Sequence, residues 1–438
     1  MLQETAKKIV KKLNQAGFVA YFAGGCVRDR LLNRKVNDID IATSATPEDV
    51  EKLFTKTHPL GKEFGVVLVI EDKEAFEVAT FRGESDYDGR KPAKVFFTDA
   101  EEDAKRRDFT VNGLFLNPLN NEVLDFVKGQ HDLKARVIRF IGNPDERVEE
   151  DYLRILRGIR FRNLLRFEYE TATAEAIRKH AKNIQQISGE RIRDELNRMF
   201  ENENRAKAVR DLDEFGLLEV LLPELVELKK LPQPEEFHRE GDTFTHVLAS
   251  FAALPKKVSL AVAWATLLHD IGKAQTIRKD ADRIRYPGHA EASAKIAGEI
   301  LKRLRFDNAT RAKIIWLVEN HMMIGDLEKM RLAHRYKYFT HPWFGELMQV
   351  CLADSKGIFP QHLSLWRKVN KMWKEATASL LLPPPKDLLR GDEIVDELHI
   401  PKGNQVGRLK KILHDAQVEG LVKTREEAIR FLEKCLKR

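Results

Sequence analysis

The chain has few cysteines and no long hydrophobic run. Only three of its 438 residues are cysteines, and they are scattered without the spacing of a disulfide framework or a zinc site. No apolar stretch is long enough to cross a bilayer, and the chain opens on an amphipathic helical pattern rather than a secretory signal. These absences argue against a disulfide-rich secreted protein and a membrane protein, and we expect a cytoplasmic one.

The chain carries only a moderate excess of positive charge. The formal net charge is +7, and the hydrophobic content of 43% is ordinary for a globular protein. Such an excess suits a polyanionic partner only where the basic residues cluster. A chain of 438 residues exceeds what one hydrophobic core usually serves, so several domains are expected.

The first candidate binding-site residues lie near the N-terminus. The pair Gly24-Gly25 stands between a predicted strand and a predicted short helix, where it lets the backbone approach a phosphate closely. Asp38 and Asp40 follow, and alternation along a strand would point both carboxylates to one face. Because neighbouring carboxylates repel unless a cation lies between them, the pattern predicts a Mg²⁺ site. Each fragment on its own is more often a tight turn or a solvated loop, so the prediction depends on their combination.

Two arginine-rich segments predict phosphate binding. The planar guanidinium groups of Arg106 and Arg107 present N–H donors in a fixed arrangement that suits phosphate oxygens. We expect the carboxylate of Asp108 to orient one of these two arginines. A helix predicted over residues 150–161 places one acid and three arginines on one face. A solvated salt-bridge ladder is the ordinary explanation, but one acid leaves two guanidinium groups without a local partner, which a triphosphate would supply. The four residues of this face are Asp151, Arg154, Arg157 and Arg160.

Histidines are concentrated in an apolar, helical part of the second half. A lone histidine on a helix is usually structural. Here four histidines and two aspartates each fall near a predicted helix end, and the adjacent pair His269-Asp270 is the most specific feature. The pattern predicts a metal-binding constellation. Its members are His246, His269, Asp270, His289, His321 and Asp354.

Two segments predict irregular structure. Residues 82–92 are polar and contain glycine, which predicts a mobile loop. The prolines at 383–385 predict a stiff linker. The tail beyond them predicts two or three short basic helices. A charged face is usually only solvated, but this one could also follow a phosphate backbone.

Four motifs occur in a fixed order: G-G-x-V-R-D at 24–29, D-x-D at 38–40, R-R-D-x-T-x-N at 106–112 and E-D-x-x-R at 150–154. In this order they resemble the class II tRNA nucleotidyltransferases (CCA-adding enzymes) and bacterial poly(A) polymerases. The histidine and aspartate constellation resembles the metal set of an HD phosphohydrolase domain.

The resemblance implies a fold and a domain order. The fold is an α/β N-terminal head, polymerase-β-like with a small mixed sheet and helices, followed by a mostly α-helical neck, HD domain and tail. The head would span residues 1–145 and the neck, with its nucleobase-recognising helix, residues 146–225. The HD domain would span 226–380 and a basic, RNA-binding tail 381–438.

The resemblance also implies roles for individual residues. Asp38 and Asp40 would hold Mg²⁺, with Glu77 as a further carboxylate nearby. Asp151 and Arg154 would recognise the base of CTP or ATP, because a carboxylate accepts from an exocyclic amine and a guanidinium donates to ring nitrogen or carbonyl groups. The other nucleotide-binding residues would be Gly25, Arg28, Arg107, Asp108, Asn112, Glu150, Arg157 and Arg160.

The implied function is the addition of C, C and A from CTP and ATP to the tRNA 3′ end without a nucleic-acid template. The alternative is a poly(A) polymerase or an A-adding enzyme. Segment 82–92, with Arg90 and Lys91, would govern the change from C to A addition. The HD domain, with a divalent transition metal such as Ni²⁺, Mn²⁺ or Co²⁺, would hydrolyse phosphate or cyclic phosphate ends. We expect tRNA, CTP and ATP as partners, no membrane and no obligate protein partner.

Overall fold

The computed structural model describes residues 2–60, 64–87, 92–232, 241–279, 284–361, 363–378 and 386–437. The chain forms two compact units, Met1–Pro223 and Glu224–Arg438. Arg90, Lys91 and the predicted linker at 383–385 lie outside the described residues. Within the described residues, every helix is too short or too polar to cross a membrane.

The first unit is built on a mixed sheet of seven strands. Strands β2 (Asp40–Thr43) and β5 (Glu74–Thr80) are parallel, and the other neighbouring strands of this sheet are antiparallel. The predicted α/β head with a small mixed sheet is therefore confirmed. In spatial order the strands are β3 (Thr57–Pro59), β4 (Val66–Glu71), β5 (Glu74–Thr80), β2 (Asp40–Thr43), β1 (Ala20–Ala23), β8 (Leu114–Asn117) and β9 (Glu122–Asp125).

Short helices connect these strands and cover the sheet. Helix α1 (Leu2–Gln15) buries the apolar face that its sequence predicts, consisting of Ala6, Ile9, Val10 and Leu13. Helix α2 (Gly25–Leu31) follows β1, and α3 (Pro47–Leu53) follows β2. Thr46 caps α3 by accepting a hydrogen bond from the backbone N–H of Asp49, whose side chain bonds back to complete a capping box.

Residues predicted as a mobile loop form part of a hairpin instead. Strand β6 (Arg82–Tyr87) pairs antiparallel with β7 (Pro92–Phe97). Gly83 lies opposite Phe96, and a Cβ on that glycine would stand 2.4 Å from the phenylalanine ring. The loop prediction is wrong for the paired residues. Strand pairing is formed by hydrogen bonds between backbone groups, so a polar sequence does not exclude it.

The rest of the first unit is mostly helical. The predicted continuous helix over 150–161 is wrong, because the chain leaves helical geometry at Asp151 and resumes it at Leu153. A short parallel pair joins β10 (Val137–Ile138) to β11 (Glu168–Tyr169). The helices are α4 (Ala100–Lys105), α5 (Gly129–Ala135), α6 (Pro144–Glu150), α7 (Leu153–Leu165), α8 (Thr171–His180), α9 (Gly189–Phe200), α10 (Arg205–Glu214) and α11 (Leu217–Leu221); α12 (Pro223–Val226) ends at the start of the second unit.

The second unit is helical apart from a small hairpin of β12 (Arg278–Lys279) and β13 (Ile284–Arg285). Its central helices are α13 (Thr243–Ala252), α14 (Leu260–Leu268), α16 (His289–Arg303), α17 (Asn308–Glu319) and α19 (Phe344–Gly357), with α15 (Lys273–Thr276), α18 (Leu332–Phe339) and α20 (Ser364–Ala378). The tail forms three helices with a small core of their own, α21 (Gly391–Leu398), α22 (Asn404–Val418) and α23 (Arg425–Leu436).

Candidate active-site cleft and metal centre

One cleft of the first unit, with a volume of about 860 Å³, brings the four motifs together. Segments more than a hundred residues apart in sequence meet there, as the motif order predicts. Glu150, also predicted to bind the nucleotide, is not among the residues that line this cleft; it forms ion pairs with Arg147 and Arg154. The predicted residues that line the cleft are Gly25, Arg28, Asp38, Asp40, Arg107, Asp108, Asn112, Asp151, Arg154, Arg157 and Arg160.

The glycine turn after β1 requires a residue without a side chain. Gly24 has φ +71°, and a Cβ there would approach Nη1 of Arg107 to 2.8 Å. Only glycine satisfies both conditions without strain. The turn therefore allows the Arg107 guanidinium to lie directly against the backbone at the mouth of the cleft.

Asp38 and Asp40 both face solvent at the cleft, while Ile39 between them is buried. This confirms the predicted alternation, although the strand itself begins only at Asp40. Although Asp40 as a residue is exposed, desolvation of its carboxyl group by the cleft wall and the charges of Glu77 and Asp38 raise its pKa to about 6. A divalent cation would relieve this crowding of negative charge.

The donor set at this position fits Mg²⁺. In the part of the chain that the structure describes, the clusters of three close metal-binding side chains lie in the second unit. A cation on Asp38 and Asp40 would therefore take its remaining ligands from phosphate and water, as Mg²⁺ commonly does.

The arginine pair is oriented by Asp103, a residue that the sequence patterns do not single out. One carboxylate oxygen of Asp103 accepts from Nε and Nη2 of Arg106, at 2.9 and 2.7 Å. The other accepts from Nε and Nη2 of Arg107, at 3.2 and 2.9 Å. Arg106 also bonds Glu84 of β6 at 3.0 Å. The expectation that Asp108 orients one of these arginines is wrong.

Asp108 instead joins α7 to the loop after α4. Its Oδ2 accepts from Nε of Arg157 at 2.7 Å, and its Oδ1 accepts from Nδ2 of Asn112 at 3.0 Å. Asn112 accepts in turn from Nη1 of Arg28 at 2.6 Å. Burial alone would raise the pKa of Asp108, but Arg157 and these hydrogen bonds lower it to about 2. Asp108 is therefore an ionised anchor at neutral pH.

Each arginine of the predicted face, Arg154, Arg157 and Arg160, has a carboxylate partner. The two that lack a partner within the helix, Arg157 and Arg160, are paired with carboxylates of other segments, so a triphosphate is not needed to neutralise them. Arg154 pairs with Glu150 one turn earlier. Arg157 pairs with Asp108, and Nε of Arg160 lies 2.6 Å from Oε2 of Glu195 on α9. Sequence spacing could not identify the last two carboxylates, because tertiary packing supplies them.

The predicted base-recognition pair, Asp151 and Arg154, has a partner that the sequence patterns do not reveal. Asp151 accepts from the backbone N–H of Leu153, the first residue of α7, at 3.1 Å and from Nη2 of Arg191 at 2.7 Å. Arg154 is almost fully buried, and it donates to the backbone oxygens of Arg147 at 2.7 Å and Arg106 at 3.1 Å. Asp151 and Arg154 are therefore held by separate contacts.

The six predicted metal-binding residues of the second unit converge. They form two groups: His246, His269 and Asp354, and Asp270, His289 and His321. Oδ2 of Asp270 lies 3.3 Å from Nε2 of His269, whereas its Oδ1 lies 3.4 Å from Nε2 of His289. Each carboxylate oxygen of Asp270 thus faces a different group.

The histidine orientations fit metal binding. Nδ1 of His269, His289 and His321 lies 2.8, 2.9 and 2.6 Å from the backbone oxygen three residues earlier. These contacts fix the tautomer in which Nε2 is free to act as a ligand. Burial lowers the pKa of His321 to about 4 in the metal-free protein, which keeps its ring neutral at pH 7.

Basic side chains of the tail are partly paired within the tail. Lys410 lies 2.8 Å from Asp387, and Arg425 lies 2.6 Å from Glu393 and 3.0 Å from Glu397. These contacts reduce the positive charge that the two side chains offer to a polyanion.

Three family models match the chain. The poly A polymerase head domain matches residues 20–139, the probable RNA and SrmB-binding site of polymerase A matches 166–228, and the HD domain matches 244–355. The chain therefore contains segments similar to a poly A polymerase head, to an RNA-binding region of polymerase A and to an HD domain, in the order that the motifs predicted.

Similar curated proteins include CCA-adding enzymes. That of Staphylococcus saprophyticus is 46% identical over 216 residues, which is 49% of this chain and 54% of the relative. That of Bacillus velezensis is 42% identical over 225 residues, 50% of this chain and 57% of the relative. The chain thus spans about half the length of the curated relatives it matches.

The structural similarity covers nearly the whole chain. The CCA-adding enzyme of Bacillus stearothermophilus, solved in complex with CTP, has a TM-score of 0.72 at 25% identity and covers 99% of this chain and 97% of its own. The Thermotoga maritima CCA-adding enzyme complexed with tRNA has a TM-score of 0.61 at 19% identity, covering 98% and 94%.

Proposed function

We propose that this protein is a CCA tRNA nucleotidyltransferase, which adds C, C and A from CTP and ATP to the tRNA 3′ end without a nucleic-acid template. The observation that carries this proposal is that one cleft is lined by Asp38 and Asp40 together with Arg107, Asp151 and Arg154. The names of the similar enzymes support the same product. We propose the cytoplasm as its location.

Each part of the cleft would do one task. Arg28 and Arg107 would donate to triphosphate oxygens, while Asp151 and Arg154 would bind the base edge. A Mg²⁺ ion on Asp38 and Asp40 would neutralise charge on the reacting phosphates. The RNA 3′-hydroxyl would attack the α-phosphate of the nucleotide, and pyrophosphate would leave.

Specificity follows from the exocyclic amine that C and A share. A carboxylate accepts from that amine but repels the carbonyl oxygen that U and G present at the same place. Asp151 would therefore favour CTP and ATP. Arg157, Arg160, Asp108 and Asn112 would fix the wall behind the nucleotide through the contacts described above.

The test is incubation of the purified protein with tRNA that ends at the discriminator base, followed by sequencing of the 3′ ends. CTP alone should give two added C residues, and CTP with ATP should give CCA. A tail of many A residues, or addition of A alone, would instead support the alternative of a poly(A) polymerase or an A-adding enzyme.

We propose a second activity for the HD residues of the second unit, the hydrolysis of phosphate or cyclic phosphate ends. Their convergence as two groups around Asp270 supports a site for two ions, with Ni²⁺, Mn²⁺ or Co²⁺ as candidates. Hydrolysis of an RNA ending in a 2′,3′-cyclic phosphate, with each metal in turn, tests this proposal. No hydrolysis with any of them would contradict it.

We propose four domains: residues 1–145 as the head, 146–225 as the neck, 226–380 as the HD domain and 381–438 as an RNA-binding tail. Removal of 381–438 tests the last role. A large loss of tRNA affinity with little change in the KM for CTP would support it, whereas unchanged affinity would contradict it.

A further inference from the structure

We propose that Arg191 is a specificity-determining residue of the cleft, which orients Asp151 and at the same time is kept from binding the wrong bases itself. The inference rests on the proposed function and concerns a residue to which no part of the motif pattern assigns a role. Arg191 and Asp151 both line the cleft. They lie 40 positions apart in sequence, on α9 and just before α7.

The contacts of Asp151 determine its orientation. Oδ1 accepts from the backbone N–H of Leu153 at 3.1 Å, and Oδ2 accepts from Nη2 of Arg191 at 2.7 Å. Each oxygen of a carboxylate has two acceptor positions, so one position on each oxygen remains for an incoming donor. An exocyclic amine of cytosine or adenine satisfies such a position.

Arg154 cannot perform this task in place of Arg191. Its guanidinium is held by Glu150 and by the backbone oxygens of Arg147 and Arg106. Arg154 is buried, whereas the Arg191 side chain is 38% exposed and the Asp151 side chain 19%. Arg191 is thus the cation that holds Asp151 at the accessible surface of the cleft.

The same contact restrains Arg191. Uracil and guanine present a carbonyl oxygen where cytosine and adenine present an amine, and a guanidinium beside that position would donate to the carbonyl. While Nη2 bonds Asp151, this donor is directed at the carboxylate. The ion pair therefore both selects the amine and withholds a donor from the competing bases.

Substitution of these residues should change kcat/KM for UTP and for CTP in opposite directions. In Asp151→Ala, Arg191 loses the carboxylate, so kcat/KM for UTP relative to CTP should rise about tenfold, the size of one charge-assisted hydrogen bond. In the double variant Asp151→Ala/Arg191→Ala, this gain should disappear. Arg191→Ala alone should lower kcat/KM for CTP about tenfold, with unchanged affinity for tRNA.

The experiment measures kcat/KM for CTP, ATP, UTP and GTP on truncated tRNA for these variants and the wild type. Arg178→Ala is the matched control, because Arg178 is a half-exposed arginine near a carboxylate, Glu214, and does not line the cleft. Arg191→Gln keeps the side chain polar and serves if Arg191→Ala does not fold. Thermal unfolding of each variant separates loss of fold from loss of selectivity.

A UTP gain that persists in the double variant would overturn the inference, because the donor would then be another group. An absent gain in Asp151→Ala would overturn it as well. If the wild type adds neither CTP nor ATP, the proposed function fails; if the wild type adds both and the variants show no coupling, only this inference fails.

Discussion

Asp108 and Arg157 lie 49 residues apart in sequence and form a two-pronged ion pair in the wall of the cleft. Nε and Nη2 of Arg157 lie 2.7 and 2.5 Å from the same carboxylate oxygen of Asp108. The other oxygen accepts from the backbone N–H of Phe109 and the side-chain amide of Asn112. The pair therefore links the arginine motif to α7, the helix that carries Arg154, for which we propose a role in base recognition.

Asp108→Asn should lower the free energy of unfolding by about 2 kcal/mol at pH 7, because it leaves the partly buried guanidinium of Arg157 without its principal partner. The pKa of Asp108 in the folded protein is about 2, below the ordinary 3.8. Its contribution is therefore complete above about pH 4 and is lost as the pH falls towards 2. Urea unfolding at pH 7 and pH 3 should show a smaller difference between variant and wild type at pH 3.

The control for this prediction is Asp194→Asn. Asp194 is 55% exposed and pairs with Arg193, so its substitution should change stability by no more than about 0.5 kcal/mol. An equal destabilisation by Asp108→Asn at both pH values would show that packing, rather than charge, accounts for the loss.

Local patterns predict the parts of this protein that depend on local physics. The apolar face of α1, the cap of α3 and the buried Ile39 between two exposed aspartates all follow from periodicity and capping chemistry. The motif residues of the cleft also converge as their order predicts. The first three features depend on interactions within a few residues of the chain. The convergence of the cleft residues is instead implied by the resemblance that the four motifs carry.

The partners of the arginines could not be predicted in the same way. Glu195 pairs with Arg160 and Arg191 with Asp151 only because α9 packs against α7. Asp103 is different, since its spacing of three and four residues before the arginine pair is a detectable helical signal.

Asp103→Asn should raise the KM for CTP and ATP about tenfold with a smaller change in kcat, because the Arg107 guanidinium loses the carboxylate that orients it. Asp103 is almost fully buried, so thermal unfolding must accompany the kinetics. Glu101→Gln is the control, since Glu101 lies on the same helix, is exposed and pairs only at the surface with Lys105. An unchanged KM in a folded Asp103→Asn enzyme would contradict the positioning role.

The Mg²⁺ dependence that we propose for nucleotide addition should vary with pH through Asp40. Its pKa of about 6 means that a proton competes with the cation below pH 6. The Mg²⁺ concentration for half-maximal activity should then rise about tenfold for each pH unit below 6, and level off above it. Initial rates over a grid of pH and Mg²⁺ concentration measure this. An Asp40→Ala enzyme that still incorporates nucleotide would contradict the role of this carboxylate.

The second unit should bind two divalent ions, and Asp270 should be needed for both. Its oxygens face different histidine groups, at 3.3 Å from Nε2 of His269 and 3.4 Å from Nε2 of His289. Asp270→Ala should therefore reduce both sites, whereas His321→Ala should remove one ion and keep the group of His246, His269 and Asp354.

Equilibrium dialysis against Mn²⁺, followed by metal analysis, gives the number of ions for each variant. Nucleotide addition by the first unit is the internal control and should be unchanged in both, since the six residues belong to the second unit. Two ions retained by a folded Asp270→Ala protein would show that this carboxylate joins neither group, and equal losses in the two variants would show that the sites do not form separately.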